Sequence, residues 1–231
     1  MARGKFVLAA VIVLLLLPGH LAFAAEDLNS VLAKLDTAAT RFHTTTADFE
    51  FDTVQTQPVP DTDVQKGTVD YRRSGTTFQM GVHINQVNGQ AVPKVIVCCT
   101  GGSVKMYEKM VNQVTTLSKL NEYESYFMLG FGASGKELAE KWNIKYDGSE
   151  AIDGVQTAKL EMVAKDPAVR KNIQKVTLWM DTDRGVSLQQ RFEEGPDQYR
   201  TCHYFNVKMN QPLPKDPFTL PTDKATTYVN H

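Results

Sequence analysis

Apolar and polar residues alternate along most of this chain, and helical spacing appears in only a few places. From Leu28 to Phe42 the apolar positions Leu28, Val31, Leu32, Leu35, Ala38, Ala39 and Phe42 fall on one face of a 3.6-residue period, which predicts an amphipathic helix. Phe49 and Phe51 then alternate with Asp48, Glu50 and Asp52, the period of a half-buried strand. The same alternation returns in Thr68–Arg72, in Phe78, Met80 and Val82, in Val104 and Met106, and in Leu160 and Met162. It continues through Val176, Leu178 and Met180, through Val186, Leu188, Gln190 and Phe192, and from Tyr199 to Val207. Short turns such as Asn88-Gly89, Asp153-Gly154, Asp183-Arg184-Gly185 and Gly195-Pro196-Asp197 separate these runs, so the strands follow one another as antiparallel hairpins.

Helix is expected again only between Asn121 and Trp142, where Ser134 and Glu137 have the S-x-x-E spacing of a capping box ahead of Leu138, Ala139 and Trp142. Asp166-Pro167 can cap one further short turn before Ile173. The C-terminal run with Pro212, Pro214, Pro217 and Pro221 is irregular or edge-like, because proline cannot pair centrally in a sheet. The expected class is mainly β with some α, a sheet with a few covering helices rather than alternating βαβ units.

The one long apolar run changes the address of the product. Arg3 and Lys5 precede an unbroken stretch from Phe6 to Leu17, followed by Pro18, Gly19 and Ala22-Phe23-Ala24. A basic start, about a dozen apolar residues and an A-x-A end predict a secretory signal peptide over residues 1–24, too short for a permanent span. Ala25, not cysteine, follows the expected cleavage site, so no lipid anchor is expected there. The 207 residues from 25 to 231 are expected to form one soluble, monomeric domain in the periplasm, without ATP. They carry 23 basic and 26 acidic side chains and no basic tract, which argues against a nucleic-acid partner. Cys98, Cys99 and Cys202 cannot all pair. A bridge between neighbours would be strained, so a disulfide would join Cys98 or Cys99 to Cys202, the alternative being buried thiols in strands.

Candidate chemistry is sparse. Gly130-Phe131-Gly132-Ala133-Ser134-Gly135-Lys136 satisfies both G-x-G-x-x-G and G-x-x-x-x-G-K. Glu137 stands where a Walker loop needs Ser or Thr, however, and its carboxylate would repel phosphates. The hairpin order also lacks the parallel strand–loop–helix setting, so the stretch reads as a Gly-rich connection with Ser134 as a helix cap. His203 and Cys202 are adjacent in a strand and point to opposite faces, so they cannot act together. Neither C-x-x-C nor H-E-x-x-H occurs, and no catalytic residue, metal site or cofactor is expected.

The apolar faces are more informative. Phe49, Phe51, Tyr71, Phe78, Met80, Met106, Leu160, Met162, Leu178, Met180, Leu188 and Phe192 form a continuous row of large, methionine-rich side chains across consecutive strands. One reading is the core between a sheet and its helices. The other is a cavity for acyl chains, where adaptable methionines suit a ligand of variable shape.

The order of elements resembles the periplasmic outer-membrane lipoprotein carrier family, LolA, as a divergent member. The resemblance runs from the helix ending in Phe42, through Phe49, Phe51 and Gly67–Arg73, to Gly102–Tyr107 and Phe127–Gly130. It continues through Asp153-Gly154, Leu160–Met162 and Ile173–Asp181 to the closing Phe218–Pro221. It departs where an aspartate-glycine turn is replaced by Gly101-Gly102 and a tryptophan by Tyr71 or Met106. The resemblance implies an incomplete antiparallel half-barrel with lid helices over a hydrophobic cavity. It also implies a carrier that takes an acylated lipoprotein or lipid from an inner-membrane release complex and passes it to an outer-membrane receptor. An arginine after the second strand bonds lid carbonyls in that family, and Arg73 occupies its place, the alternative being a solvated strand-end residue. A lipid- or lipoprotein-sensing regulator of the same fold is the runner-up, although such sensors carry a second C-terminal domain for which this chain has no length. A secreted hydrolase is a third reading.

Overall fold

The computed structural model describes residues 27–75, 77–98, 103–117 and 129–230. The expected leader at 1–24, Cys99, Gly101-Gly102 and the first part of the mid-chain helical region lie outside them.

Helix α1 (Leu28–Ala39) begins where the Asp27 side chain accepts a hydrogen bond from the Ser30 N–H, 2.8 Å away. It ends three residues short of the predicted Phe42, because the chain turns at Thr40 and enters strand β1 (Thr44–Gln55). The strands then run β2 (Asp61–Ser74), β3 (Thr77–Val87), β4 (Gln90–Cys98), β5 (Val104–Glu108) and β6 (Gln113–Leu117). Helix α2 (Gly135–Lys141) leads into β7 (Trp142–Ile152) and β8 (Val155–Ala164). The short helix α3 (Pro167–Arg170) precedes β9 (Lys175–Asp181), β10 (Val186–Glu193) and β11 (Gln198–Met209), and β12 (Thr227–Asn230) closes the list.

The twelve strands among the described residues belong to one sheet, ordered β12-β6-β5-β4-β3-β2-β1-β11-β10-β9-β8-β7. Every pairing is antiparallel except that of β12 with β6, which is parallel. Because β7 and β12 stand at opposite ends of that order, the sheet is open, and the half-barrel class expected from the sequence is the one observed. Its curl is visible in the side chains: Leu117 of β6 and Phe192 of β10 line one cavity although six strands lie between theirs. Register shifts on β1, at β2–β3, at β3–β4 and at β9–β10 supply local bends. At the β2–β3 shift a Cβ on Gly67 would lie 1.9 Å from the His83 carbonyl oxygen, so only glycine permits the close approach.

The helices cover part of the concave face. Gly135 lets α2 lie against α1, since a Cβ there would be 2.3 Å from the Leu32 carbonyl oxygen. Val31, Leu35, Leu138 and Trp142 pack with Leu160, Met162, Val176, Leu178 and Met180 into one buried cluster over β7–β10. A separate cluster joins Phe49, Val69, Tyr71, Phe78, Met80, Leu188, Cys202 and Tyr204 around Phe131. The continuous apolar row predicted from sequence is thus two clusters, divided by where the helices lie.

Residues 210–226 cross the outer face as an irregular strap, in keeping with their prolines, before β12 joins the edge beside β6. Arg72 stacks over Phe218 of this strap, and a Cβ on Gly81 would sit 2.0 Å from the Pro217 carbonyl oxygen. Cys98 is disulfide-bonded while Cys202 is a free, buried thiol, so the bridge to Cys202 is excluded and the alternative of a buried strand thiol holds for Cys202. Their strands are four steps apart, about 19 Å along the sheet, against the roughly 4–7 Å between Cα atoms that a disulfide needs.

Candidate functional site

The half of the concave face beyond the helices encloses a cavity of about 500 Å³. Its walls alternate out of neighbouring strands: Phe49 and Phe51 of β1, Val69 and Tyr71 of β2, Met80, Val82 and Ile84 of β3, and Ile96 of β4. Gln190 and Phe192 of β10 and Cys202 and Tyr204 of β11 complete the opposite side. Pairing puts Phe51 beside Cys202 and Phe49 beside Tyr204, so these four share one stretch of wall.

Of the twelve residues in the predicted row, Phe49, Phe51, Tyr71, Met80 and Phe192 line this cavity. Phe78 and Leu188 belong to the cluster around it without lining it. Leu160, Met162, Leu178 and Met180 are buried beneath α1 and α2, and Met106 on β5 is half-buried beside Ile96. The lining residues Val82, Ile84, Ile96, Cys202 and Tyr204 continue the strand alternation, a signal that extending the row by register would have caught.

At one end of the cavity Phe131, which is 1% exposed, backs the lining residues Tyr71 and Tyr204 and so serves as a stopper. Its ring stacks on Tyr71 with centroids 4.0 Å apart and meets Tyr204 edge-on at 4.8 Å. The flanking glycines make this insertion possible. Gly130 has φ +81° and a Cβ there would fall 2.4 Å from the Ser187 Cβ, while Gly132 has φ +67° and would meet the Phe42 ring at 2.5 Å. The backbone is pinned to β10 and its turn: the Ser187 N–H donates to the Gly130 carbonyl at 2.6 Å, and the Gly132 N–H to the Gly185 carbonyl at 3.0 Å. The Gln190 side chain donates to the Leu129 carbonyl at 2.6 Å. The phosphate-like glycine pattern therefore serves close packing of Phe131, a role the sequence reading of a Gly-rich connection with Ser134 as a cap did not include.

Arg73 secures the same segment from the other side. Its Nη1 donates to the Gly132 carbonyl and its Nη2 to Glu137 Oε1 at 2.6 Å, with a further contact from Nη1 to Oε2 at 3.3 Å. Glu137 also accepts from the Ser134 N–H at 2.8 Å, while the Ser134 hydroxyl accepts from the Glu137 N–H at 3.1 Å, completing the predicted capping box. Partial burial opposes ionisation of Glu137, but Arg73 and Ser134 outweigh it and hold the carboxyl below its usual range. One carboxylate thus caps α2 and grips β2.

Polarity differs between the two ends. Near Phe131, burial pushes the Cys202 thiol up to about 12 and the Tyr71 and Tyr204 phenols well upward, so all three are neutral. At the far end Arg200 of β11 and Glu194 of the β10–β11 turn form an ion pair, with Gln65 and Asn172 also on the lining. Arg200 is four residues from Tyr204 on the same face, about 13 Å along the strand. His203, on the opposite face, pairs with Asp153 at 2.7 Å, away from Cys202 as predicted. Among the described residues no group of His, Cys, Asp and Glu is arranged to hold a metal ion, and no helix is long and apolar enough to cross a membrane.

Comparison with known proteins adds breadth but little depth. No family model matches the chain. An uncharacterized protein of Methanocaldococcus jannaschii is 28% identical over 124 residues, covering 54% of this chain and 34% of that protein, so the chain spans about a third of that relative's length. Among solved structures, the chain is similar to a putative outer membrane lipoprotein-sorting protein domain from Vibrio parahaemolyticus, at 12% identity and a TM-score of 0.46, covering 84% of this chain and 97% of that one. It is similar to a LolA superfamily protein from Nitrosomonas europaea, at 16% identity and 0.41, covering 85% and 99%. The MucA/MucB complex of Pseudomonas aeruginosa contains another similar chain, at 12% and 0.49, covering 84% of this chain and 60% of that one. At such identities and scores nothing about cargo or partners passes from those proteins to this one.

Proposed function

We propose that this protein is a non-enzymatic carrier that holds acyl chains of lipoproteins or lipids in the cavity between β1–β4 and β10–β11. The observation that carries the reading is the cavity on the half of the concave sheet that α1 and α2 leave uncovered: an apolar space of about 500 Å³ walled by aromatic, aliphatic and methionine side chains. The covered half of the same sheet gives the contrast, since comparable side chains there are packed under helices.

Arg73 acts as a latch in this reading. It ties β2 to the Gly132 carbonyl and to α2, across the segment that carries the Phe131 stopper. Cargo that needs more length than the closed cavity offers displaces Phe131, and the Arg73 contacts set how readily that occurs. With the leader of residues 1–24 removed, residues 25–231 work as one periplasmic domain and a monomer, receiving cargo from an inner-membrane release complex and delivering it to an outer-membrane receptor. The sequence resemblance to the carrier family supports that route.

Mass spectrometry of native protein purified from the periplasm tests the reading. A copurifying acylated species at one per chain is expected; protein that is empty and fails to take up an added acyl probe would overturn it. Replacing Arg73 by Leu should leave the fold intact and speed cargo exchange, and an unchanged exchange rate would remove the latch.

A further inference from the structure

An apolar cargo does not account for the charged end of the cavity. Arg200 and Glu194 stand together at the opposite end from Phe131, and both contribute to the lining. The Arg200 Nε is buried and has no hydrogen-bond partner among the described residues. Burial disfavours the charged form of this guanidinium, although the side chain is still 36% exposed. A wall meant only for hydrocarbon would gain nothing from a half-buried ion pair with an unused donor.

We propose that Arg200 and Glu194 form a headgroup subsite for a zwitterionic glycerophospholipid, with its phosphate on Arg200, its ammonium on Glu194 and its acyl chains directed toward Tyr71 and Phe131. The proposal rests on the cavity being an acyl-chain site. Charge balance selects the head. An uncharged head leaves the Arg200–Glu194 pair as it is and adds only weak contacts. A purely anionic head gains Arg200 but faces the Glu194 carboxylate. A zwitterionic head replaces one ion pair by two, and guanidinium matches phosphate geometry closely. Placement agrees: the pair sits about 13 Å along β11 from Tyr204, so chains entering past it run down the apolar wall of Phe51, Cys202 and Phe49. Glu194 belongs to the turn that includes Gly195 and Pro196, outside the regular ladder, so its side chain can follow the ammonium without disturbing a strand.

The test displaces a fluorescent fatty acid from the cavity with phosphatidylethanolamine, phosphatidylglycerol and diacylglycerol of identical chains, and with phosphoethanolamine alone. For the unaltered protein, phosphatidylethanolamine should compete about tenfold better than diacylglycerol, the scale of one charge-assisted contact. Arg200→Gln should remove the phosphate contact and bring phosphatidylethanolamine down toward diacylglycerol, while phosphatidylglycerol, left facing the Glu194 carboxylate alone, becomes the weakest of the three. The fatty acid should bind as before. Glu194→Gln should make phosphatidylglycerol as effective as phosphatidylethanolamine, and Arg200→Lys should restore part of the phosphate preference. Phosphoethanolamine alone should displace nothing. Equal competition by diacylglycerol in the unaltered protein, an unchanged preference in Arg200→Gln, or displacement by phosphoethanolamine would each overturn the subsite. Failure of the fatty acid itself to bind would instead overturn the acyl-chain reading beneath it.

Discussion

The two halves of the concave face are built from similar side chains and end in different states. Over β7–β10, α1 and α2 lay Val31, Leu35 and Leu138 on Leu160, Met162 and Leu178, and the space is filled. Over β1–β4 and β11, Phe49, Phe51, Met80 and Val82 face a cavity that, among the described residues, is backed at one end by the Phe131 ring. The difference lies in what covers the wall, not in how apolar the wall is. A filled half is a core, and its residues act through stability. In the proposed reading the open half is the site, and its residues act through what they admit.

The largest expected effect comes from hollowing the filled half. Leu178→Ala should destabilise the protein by about 2–5 kcal/mol in chemical denaturation while acyl-probe affinity stays near its original value. Adding volume should separate the halves by sign. Val176→Phe, at a fully buried position, should cost about 1–3 kcal/mol, whereas Val82→Phe, on the cavity wall, should leave stability unchanged or higher and abolish acyl binding. Equal destabilisation by both would erase the distinction.

Loosening the stopper comes next. Arg73→Gln removes a partly exposed ion pair with Glu137 and should cost only about 1 kcal/mol, with its main effect on exchange rate, read by stopped-flow release of a bound probe. The pH dependence is smaller still. Because the folded Glu137 carboxyl is held below its ordinary value of 4.5, its contribution is fully present above about pH 4.5 and is lost as pH falls through the lower, folded value. Probe release should therefore quicken below pH 4.5, and Glu137→Gln should flatten that part of the profile.

The strand pattern was legible because alternation survives burial of one face. Most of β1–β3 and β8–β11 could be read from it. Strand β4 was less visible, since Pro93 interrupts it and Val95–Cys98 is an unbroken apolar run. Strand β7 was hidden behind a helix that stops at Lys141, one residue before the strand begins at Trp142. The site was harder to see. Arg73 was found through resemblance and Glu137 as a cap, but their union spans 64 positions and depends on how the sheet curls. Phe131 had no periodicity to mark it, only the glycines that its insertion requires. Nothing in the sequence sets Arg200 and Glu194 apart from other charged residues, and only the fold places them on the cavity lining.

The most direct test of the central claim is an equilibrium titration of a fluorescent fatty acid with the unaltered protein and with Val82→Phe, each checked by thermal melt. The unaltered protein should bind one probe per chain, and Val82→Phe should bind none while melting at the same temperature or higher. Equal binding by both, or a lower melting temperature for Val82→Phe as for any overpacked core, would show that the open half of the sheet is not the site.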